Sequence, residues 1–392
     1  MRRIFMSAAL LFSIITTRSQ TATDTSGFRS RKLKIEEINL VSSYYHQDGN
    51  NAAVTGGIGT QRLSDIANVI DVRLIKYDKK LRKHSLTAEV GIDHYSSASS
   101  DKIDLSANSS ASHADTRIYP SLSWTRENEV KGTSIGAGLS LSSEYDYTSF
   151  GFNVNASKKS KDRNGEFTAR LQVYLDQVKM ILPVELRSNA ENSGTEARNT
   201  VALSLGYSQI INQRLQVSVE GDLVQQQGFL SLPFYRVYFS DKTVHQEKLP
   251  DSRLKIPLGF RANYFAGDKL IIRAYYRYYS DNWGIQSNTA SLELPYKITP
   301  FFSISPFYRF YNQSAAKYFS GYEQHDGSDD LYTSNYDLSK FNSQFLGADF
   351  RFAPPDGVFG WQHLSMLELR YGHYNRSNSL SSNIVSLHLK FK

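Results

Sequence analysis

The 392-residue chain contains no cysteine. An exported protein of this composition has no disulfide framework, and no thiolate is available as nucleophile or metal ligand. Long hydrophobic runs are missing as well. A membrane-spanning helix needs about 20 apolar residues, and the only sustained apolar stretch, Ile4 to Ile15, is too short. Concentrated charge is a third absence. The formal net charge is +7, yet the basic residues fall in turns (Lys79, Lys80, Arg82, Lys83; Lys158, Lys159, Lys161, Arg163) or singly. Scattered cations give no footprint for nucleic acid, so no nucleic-acid partner is expected.

The usual catalytic signatures are absent too. There is no HExxH, P-loop or complete glycine-rich dinucleotide fingerprint, and Gly56-Gly57-Ile58-Gly59 lacks the strand and helix that would give it that meaning. Gly132-Thr133-Ser134-Ile135-Gly136 matches G-x-S-x-G, but a nucleophile elbow needs a strand turning sharply into a helix. Here the motif opens an alternating strand with Ile135, Ala137, Leu139 and Leu141 on one face. No reaction and no cofactor are expected. The residual enzymatic reading, a barrel hydrolase acting on lipid or peptide, rests on Asp93-His94 alone, with no serine specifically indicated.

What the chain does have is alternation. Val201, Leu203, Leu205 and Tyr207 run out of phase with Ala202, Ser204, Gly206 and Ser208. Phe167, Ala169, Leu171, Val173 and Leu175 alternate with Thr168, Arg170, Gln172, Tyr174 and Asp176, and Val385, Leu387, Leu389 and Phe391 close the chain in the same way. Strand side chains have a period of two, so each segment has one apolar and one polar face. Repeated this often, the pattern predicts an all-β fold: an antiparallel up-and-down transmembrane β-barrel, apolar face to lipid and polar face to a lumen. About 16 strands, within a range of about 14 to 18, match the 9–11 residues a tilted spanning strand needs. Their expected spans are 35–47, 66–77, 83–94, 115–126, 133–144, 147–158, 165–177, 199–211, 214–226, 252–265, 269–281, 286–298, 301–312, 341–353, 361–374 and 382–391.

Loop lengths sort with this frame. The even connections are short, while the odd ones include 48–65, 95–114, 178–198, 227–251 and 313–340. Short periplasmic turns and long extracellular loops are the asymmetry of outer-membrane barrels. The N-terminal Arg2, Arg3, the apolar stretch and Thr17-Arg18-Ser19 predict a signal peptide over 1–19, whose removal lowers the net charge to +4. A flexible periplasmic lead over 20–34 and the barrel over 35–392 would follow. The 25 tyrosines and 22 phenylalanines suit aromatic girdles. Trp124, Tyr264, Phe265, Phe301, Phe302, Phe350, Phe352, Trp361 and Phe391 are expected at the periplasmic boundary. Tyr44, Tyr95, Tyr145, Tyr147, Tyr278, Tyr279, Trp283, Tyr308 and Phe310 are expected at the outer one.

The polar phase supplies the candidate lumen residues Arg170, Glu220, Asp222, Arg261, Arg273, Arg277, Glu293, Arg309, Asp349, Arg351, Glu368 and Arg370. The first nine strands are more acidic and the later ones more basic, which predicts either a transverse field across a pore or charges paired across the lumen. His46, Asp48, Asp93, His94, Asp115, Glu144 and Asp146 lie at outer strand ends and form a candidate rim site for a divalent cation, against solvated loop ends as the plainer reading. The loop 227–251, with Phe229, Leu230, Leu232, Phe234, Tyr235, Val237, Tyr238 and Phe239, is too apolar to stand in water. It should extend a hairpin or fold inward as a constriction.

The sequence resembles a family of uncharacterised Gram-negative outer-membrane proteins known only as a domain of unknown function. The resemblance spans roughly 36–392 and is carried by Ser42-Ser43-Tyr44-Tyr45-His46-Gln47-Asp48-Gly49, Ala53-Val54-Thr55-Gly56-Gly57-Ile58-Gly59 and Glu144-Tyr145-Asp146-Tyr147-Thr148-Ser149. It continues in Leu249-Pro250-Asp251-Ser252-Arg253, Thr299-Pro300-Phe301-Phe302, Thr333-Ser334-Asn335-Tyr336-Asp337-Leu338 and the terminus Ile384–Lys392. It implies an outer-membrane β-barrel and carries over no ligand or catalytic residue. The terminus resembles an outer-membrane assembly signal, with Phe391 as its last aromatic before Lys392. The expected function is a pore or gated channel for small polar solutes. The alternative is a non-conducting scaffold or export partner of a periplasmic or surface protein. Outer-membrane lipid, lipopolysaccharide and the barrel-assembly machinery are the expected partners.

Overall fold

The computed structural model describes residues 32–98, 114–187 and 194–392. The expected signal peptide, and the lead as far as residue 31, lie outside the described residues. Nine strands come first: β1 (Lys34–Gly49), β2 (Arg62–Tyr77), β3 (Lys83–Ala98), β4 (Ala114–Asn128), β5 (Thr133–Ser143), β6 (Tyr147–Lys159), β7 (Gly165–Lys179), β8 (Thr195–Asn212) and β9 (Leu215–Gly228). A small hairpin, β10 (Arg236–Tyr238) and β11 (Val244–Gln246), interrupts the order. Then follow β12 (Ser252–Ala266), β13 (Leu270–Asp281), β14 (Gln286–Glu293), β15 (Tyr296–Lys297), β16 (Phe302–Gln313), β17 (Phe341–Phe352), β18 (Leu364–Arg376) and β19 (Leu380–Phe391).

Every neighbour in the large sheet is antiparallel, and β1 pairs with both β2 and β19, so the sheet closes without an edge. β14 and β15 both pair with β13 and with β16. They are two parts of one stave, and the barrel has sixteen. The single span expected over 286–298 is broken at Leu294-Pro295, because proline brings no N–H to the ladder. Several strands also outrun their expected spans at the long-loop end, β2 beginning at Arg62 and β8 at Thr195.

The outward phase is apolar and exposed: Ile66, Ile92, Leu122, Leu139, Phe152, Leu171, Leu203, Val219, Leu258, Leu346 and Val385 all present large fractions of their surface. In water such a belt would be untenable; in a bilayer it meets hydrocarbon. The turns at the opposite end from the long loops are tight and capped by their own side chains. In one, the Asn212 side-chain oxygen Oδ1 accepts from the amides of Arg214 (2.8 Å) and Leu215 (3.0 Å), an Asx turn that joins β8 to β9 directly. Ser134 sits in plain extended pairing between Glu127 and Ser157, so the G-x-S-x-G match is no elbow.

Four aromatics expected in the outer girdle face inward. Tyr95 donates to Glu144 (2.9 Å), Tyr147 donates to Asp176, and Tyr279 donates to Asp281 (2.7 Å). Trp283 is 3% exposed and donates to the Ser252 carbonyl at 3.0 Å. In each case the phenol or indole proton finds a partner under the loops rather than at the lipid boundary.

Candidate functional site

All twelve candidate lumen residues occupy the inward phase. Register places Ser204 between Arg170 and Asp222, Arg277 opposite Thr289, Asp349 opposite Arg370, and Arg351 opposite Glu368. On the basic wall, Arg261 pairs with Glu220 (3.4 Å) and Arg273 with Glu293 (2.7 Å). Arg370 reaches the same Glu293 at 3.7 Å past two intervening staves, a contact available only through the barrel interior. Arginines also lie over rings: Arg261 on Tyr275 (4.6 Å), Arg309 on Phe345 (4.9 Å) and Arg370 on Phe307 (4.2 Å). Among the described residues, no strand-to-strand ion pair joins opposite walls. Charges therefore pair within each side of the barrel rather than across it.

The mouth is covered. Loops 50–61 and 229–251 leave the barrel at opposite points, with six staves between them on either side. They nevertheless meet over its centre. Arg236, 1% exposed, donates through Nη1 to the Val54 carbonyl (2.7 Å) and through Nε and Nη2 to the two oxygens of Glu185 (2.6 and 2.8 Å). One guanidinium thus ties three loops together in a bidentate, charge-assisted clasp. Gly56 and Gly57, at φ +79° and +90°, let loop 50–61 lie flat. A Cβ on Gly56 would meet the Tyr238 ring at 2.4 Å, and one on Gly57 the Ser334 carbonyl at 2.7 Å.

The inner wall holds the same cover. Arg198 donates to the carbonyls of Phe229 (2.8 Å) and Ser231 (2.9 Å). Arg376 donates to Asp337 (2.6 Å) and to the Tyr336 carbonyl (2.8 Å), and Gln313 donates to the carbonyls of Asp337 and Ser339. Buried Glu247 accepts from the Leu232 amide (2.7 Å) and the Thr333 hydroxyl, linking loop 229–251 to loop 314–340. Of the two alternatives, an extended hairpin or an inward fold, loop 227–251 takes neither in plain form: it carries the short hairpin β10–β11 and packs against loops 50–61 and 314–340. The apolar composition of the loop signals its packing but not the clasp. A lone arginine among so many aromatics was the available cue, since arginine is almost never fully buried unless paired.

Burial pushes the Glu247 carboxyl up to about 7 from its ordinary 4.5, against the opposing pull of Thr333, Leu232 and the Arg198 charge; Tyr235 faces it as well. A carboxyl with a raised pKa in the closed cap holds more protons there than when the cap is open. The closed form is then fully stabilised below about 4.5 and loses about 1.4 kcal/mol per pH unit as pH rises toward 7. The cap should therefore loosen between pH 5 and 7. Trypsin cleavage at Arg236, followed across that range, should accelerate with pH in the native protein. Taken relative to cleavage of an unstructured arginine peptide at each pH, which corrects for trypsin's own pH dependence, the rate should be flat in Glu247→Gln.

The seven candidate rim residues do not converge. His46, Asp48 and His94 lie in the outward phase. His46 contacts Ser64 (2.9 Å), Asp48 faces Arg62 (3.7 Å), and His94 contacts Thr116 (2.9 Å). Neighbours on one strand point to opposite faces, so a set drawn from strand ends mixes both sides of the wall. Asp93 is inward and held by Arg117 (2.6 Å) and Tyr119 (2.7 Å), which also separates it from His94 as an acid–base pair. Asp115, Glu144 and Asp146 do come together, with ligand oxygens within 4.8 Å of one another. Burial, then the neighbouring carboxylates, raises Asp146 to about 6, and burial likewise raises Glu144. Asp115 accepts from the amides of Thr116 and Tyr145.

No curated protein matches the chain. Solved structures similar to it include OccK9 (OpdG) of Pseudomonas aeruginosa, at 9% identity and a TM-score of 0.44 over 92% of this chain and 98% of that one. A BenF-like porin from Pseudomonas fluorescens Pf-5 is similar at 8% identity and a TM-score of 0.43, over 93% and 100%. OccAB3 of Acinetobacter baumannii is similar at 10% identity and a TM-score of 0.42, over 92% and 99%. One family matches more than half of the sequence, from His94 to Val358, inside the longer stretch of resemblance noted above. Its description is "Protein of unknown function (DUF3570)", and the chain belongs to that family.

Proposed function

We propose that the protein is a gated pore for small polar solutes in the outer membrane of a Gram-negative bacterium, with the loops as its gate. The observation that carries this reading is the charged inward phase, which continues along a closed barrel of sixteen staves. Barrels of about 16–18 strands are wide enough to enclose an aqueous channel. The long-loop end faces outward, as the asymmetry of connections predicts. The apolar belt takes outer-membrane lipid and lipopolysaccharide, and the last strand, ending at Phe391, is the segment offered to the barrel-assembly machinery. Among the described residues, Asp115 and Asp176 on one side and Arg277 and Arg309 on the other point into the lumen outside the ion pairs given above, and the field between them favours polar over apolar solutes.

The test is conductance of the purified protein in planar bilayers, with the cap intact and with its clasp removed. Conductance that rises when the clasp is removed supports the pore. The cover itself favours a second reading, a non-conducting barrel whose packed loops present a surface to another protein. That reading expects no conductance in either form and a partner retained in pull-downs from native membrane.

A further inference from the structure

The apolar face of the barrel is broken near the middle of β1 and β2. On β1 the outward residues Leu40 and Tyr44 flank Ser42, and on β2 Ile66 and Ile70 flank Asn68. Register sets Ser42 directly opposite Asn68 and continues the row with Leu387 of β19 and Ile92 of β3. Tyr44, Ile66 and Ile92 are exposed on the outer wall, so the polar pair faces the same hydrocarbon. The Ser42 hydroxyl donates to Asn68 Oδ1 at 2.6 Å. That single contact leaves most of the amide unused. A carboxamide offers two N–H donors and an oxygen with two lone pairs, and Asn68 Nδ2 has no acceptor among the described residues. On the lumen face water would supply one. Hydrocarbon supplies none, and a polar group stranded there is costly.

We infer that β1 and β2 form the contact line of a twofold dimer, in which the Asn68 amides of two copies exchange N–H···O bonds within the bilayer. The inference goes beyond the pore reading and does not rest on it. Copies inserted in one membrane share an orientation and a depth. A twofold axis along the membrane normal therefore brings each group on the contact line to face itself. A carboxamide suits that position because it carries donor and acceptor together. Asn68 Oδ1 keeps one lone pair for the second copy after accepting from Ser42, and Nδ2 keeps both protons. A lipid tail offers neither partner. Leu40, Ile66, Ile70 and Ile92 surround the pair with apolar surface, and polar side chains at such contacts hold proteins together in lipid.

Energy transfer between labelled copies tests the contact, since the chain has no cysteine to compete for the dyes. Lys80→Cys places a label in the short turn between β2 and β3, beside the inferred contact line. Asp268→Cys places one in the turn between β12 and β13, on the far side of the barrel. Full-length protein labelled with donor or acceptor is mixed and reconstituted at high lipid dilution. Transfer should be strong at position 80 and weak at position 268. Asn68→Leu should raise the dissociation constant by about tenfold, the loss of one polar contact in lipid. It should fold no less stably in urea, because it removes an amide from hydrocarbon. Asn68→Gln, which keeps donor and acceptor, should keep the dimer. Transfer absent at both positions, or equal at both, overturns the proposal. So does an unchanged dissociation constant in Asn68→Leu.

Discussion

Arg236→Ala opens the mouth: its bilayer conductance should exceed that of the unaltered protein, and trypsin should cut loop 229–251 readily. Breaking a buried pair by removing one partner costs roughly 3–5 kcal/mol. The lower end applies here, because the Glu185 side chain keeps 35% of its surface in water while Arg236 keeps none. Even so, about 3 kcal/mol shifts the closed-to-open ratio by more than a hundredfold. The arginine also supplies the Val54 contact, so three loops are released by one substitution. Arg236→Lys should fall between, since it keeps the charge but loses the planar fork that holds two carboxylate oxygens together. Conductance and cleavage both unchanged in Arg236→Ala would show that the clasp does not hold the cap.

Leu203→Arg should destabilise the barrel by about 2–4 kcal/mol in lipid, and Ser204→Arg should leave it nearly unchanged. Both residues lie near the middle of β8 and are adjacent in sequence. Leu203 is 40% exposed on the outward face, where the new charge would sit in hydrocarbon. Ser204 faces the lumen between Arg170 and Asp222, where the new charge would keep its water and find a counter-ion in Asp222 to offset Arg170. Urea unfolding in lipid vesicles measures the difference. Equal losses at the two positions would mean that the faces are misassigned.

The barrel itself was legible because its rule is local. Alternation at Val201–Ser208 or Val385–Phe391 reports face and strand together, and the odd–even sorting of loops reports the two ends. Strand ends were less legible, since β2 and β8 continue above the apolar belt and the polar residues there no longer contrast with their neighbours. Position along a strand does not fix the face: Asp93 and His94 share an end of β3 but not a side, so residues at the outer strand ends do not make one rim site. Trp283 illustrates a third limit. An indole at an outer strand end reads as a lipid anchor until Arg253 and the Ser252 carbonyl are seen to enclose it. The clasp was not legible at all. Arg236 and Val54 are 182 residues apart, and which loops meet over a mouth follows from barrel closure rather than from any pattern within a loop.

The absence of cysteine permits the most direct test of the central claim. Single cysteines at positions 201 through 206, each carrying a nitroxide, can be examined in lipid vesicles for collision with dissolved oxygen and with a water-soluble nickel chelate. The barrel predicts strict alternation: labels at 201, 203 and 205 collide with oxygen, and those at 202, 204 and 206 with nickel. A helical period of 3.6, or nickel access at every position, would contradict it.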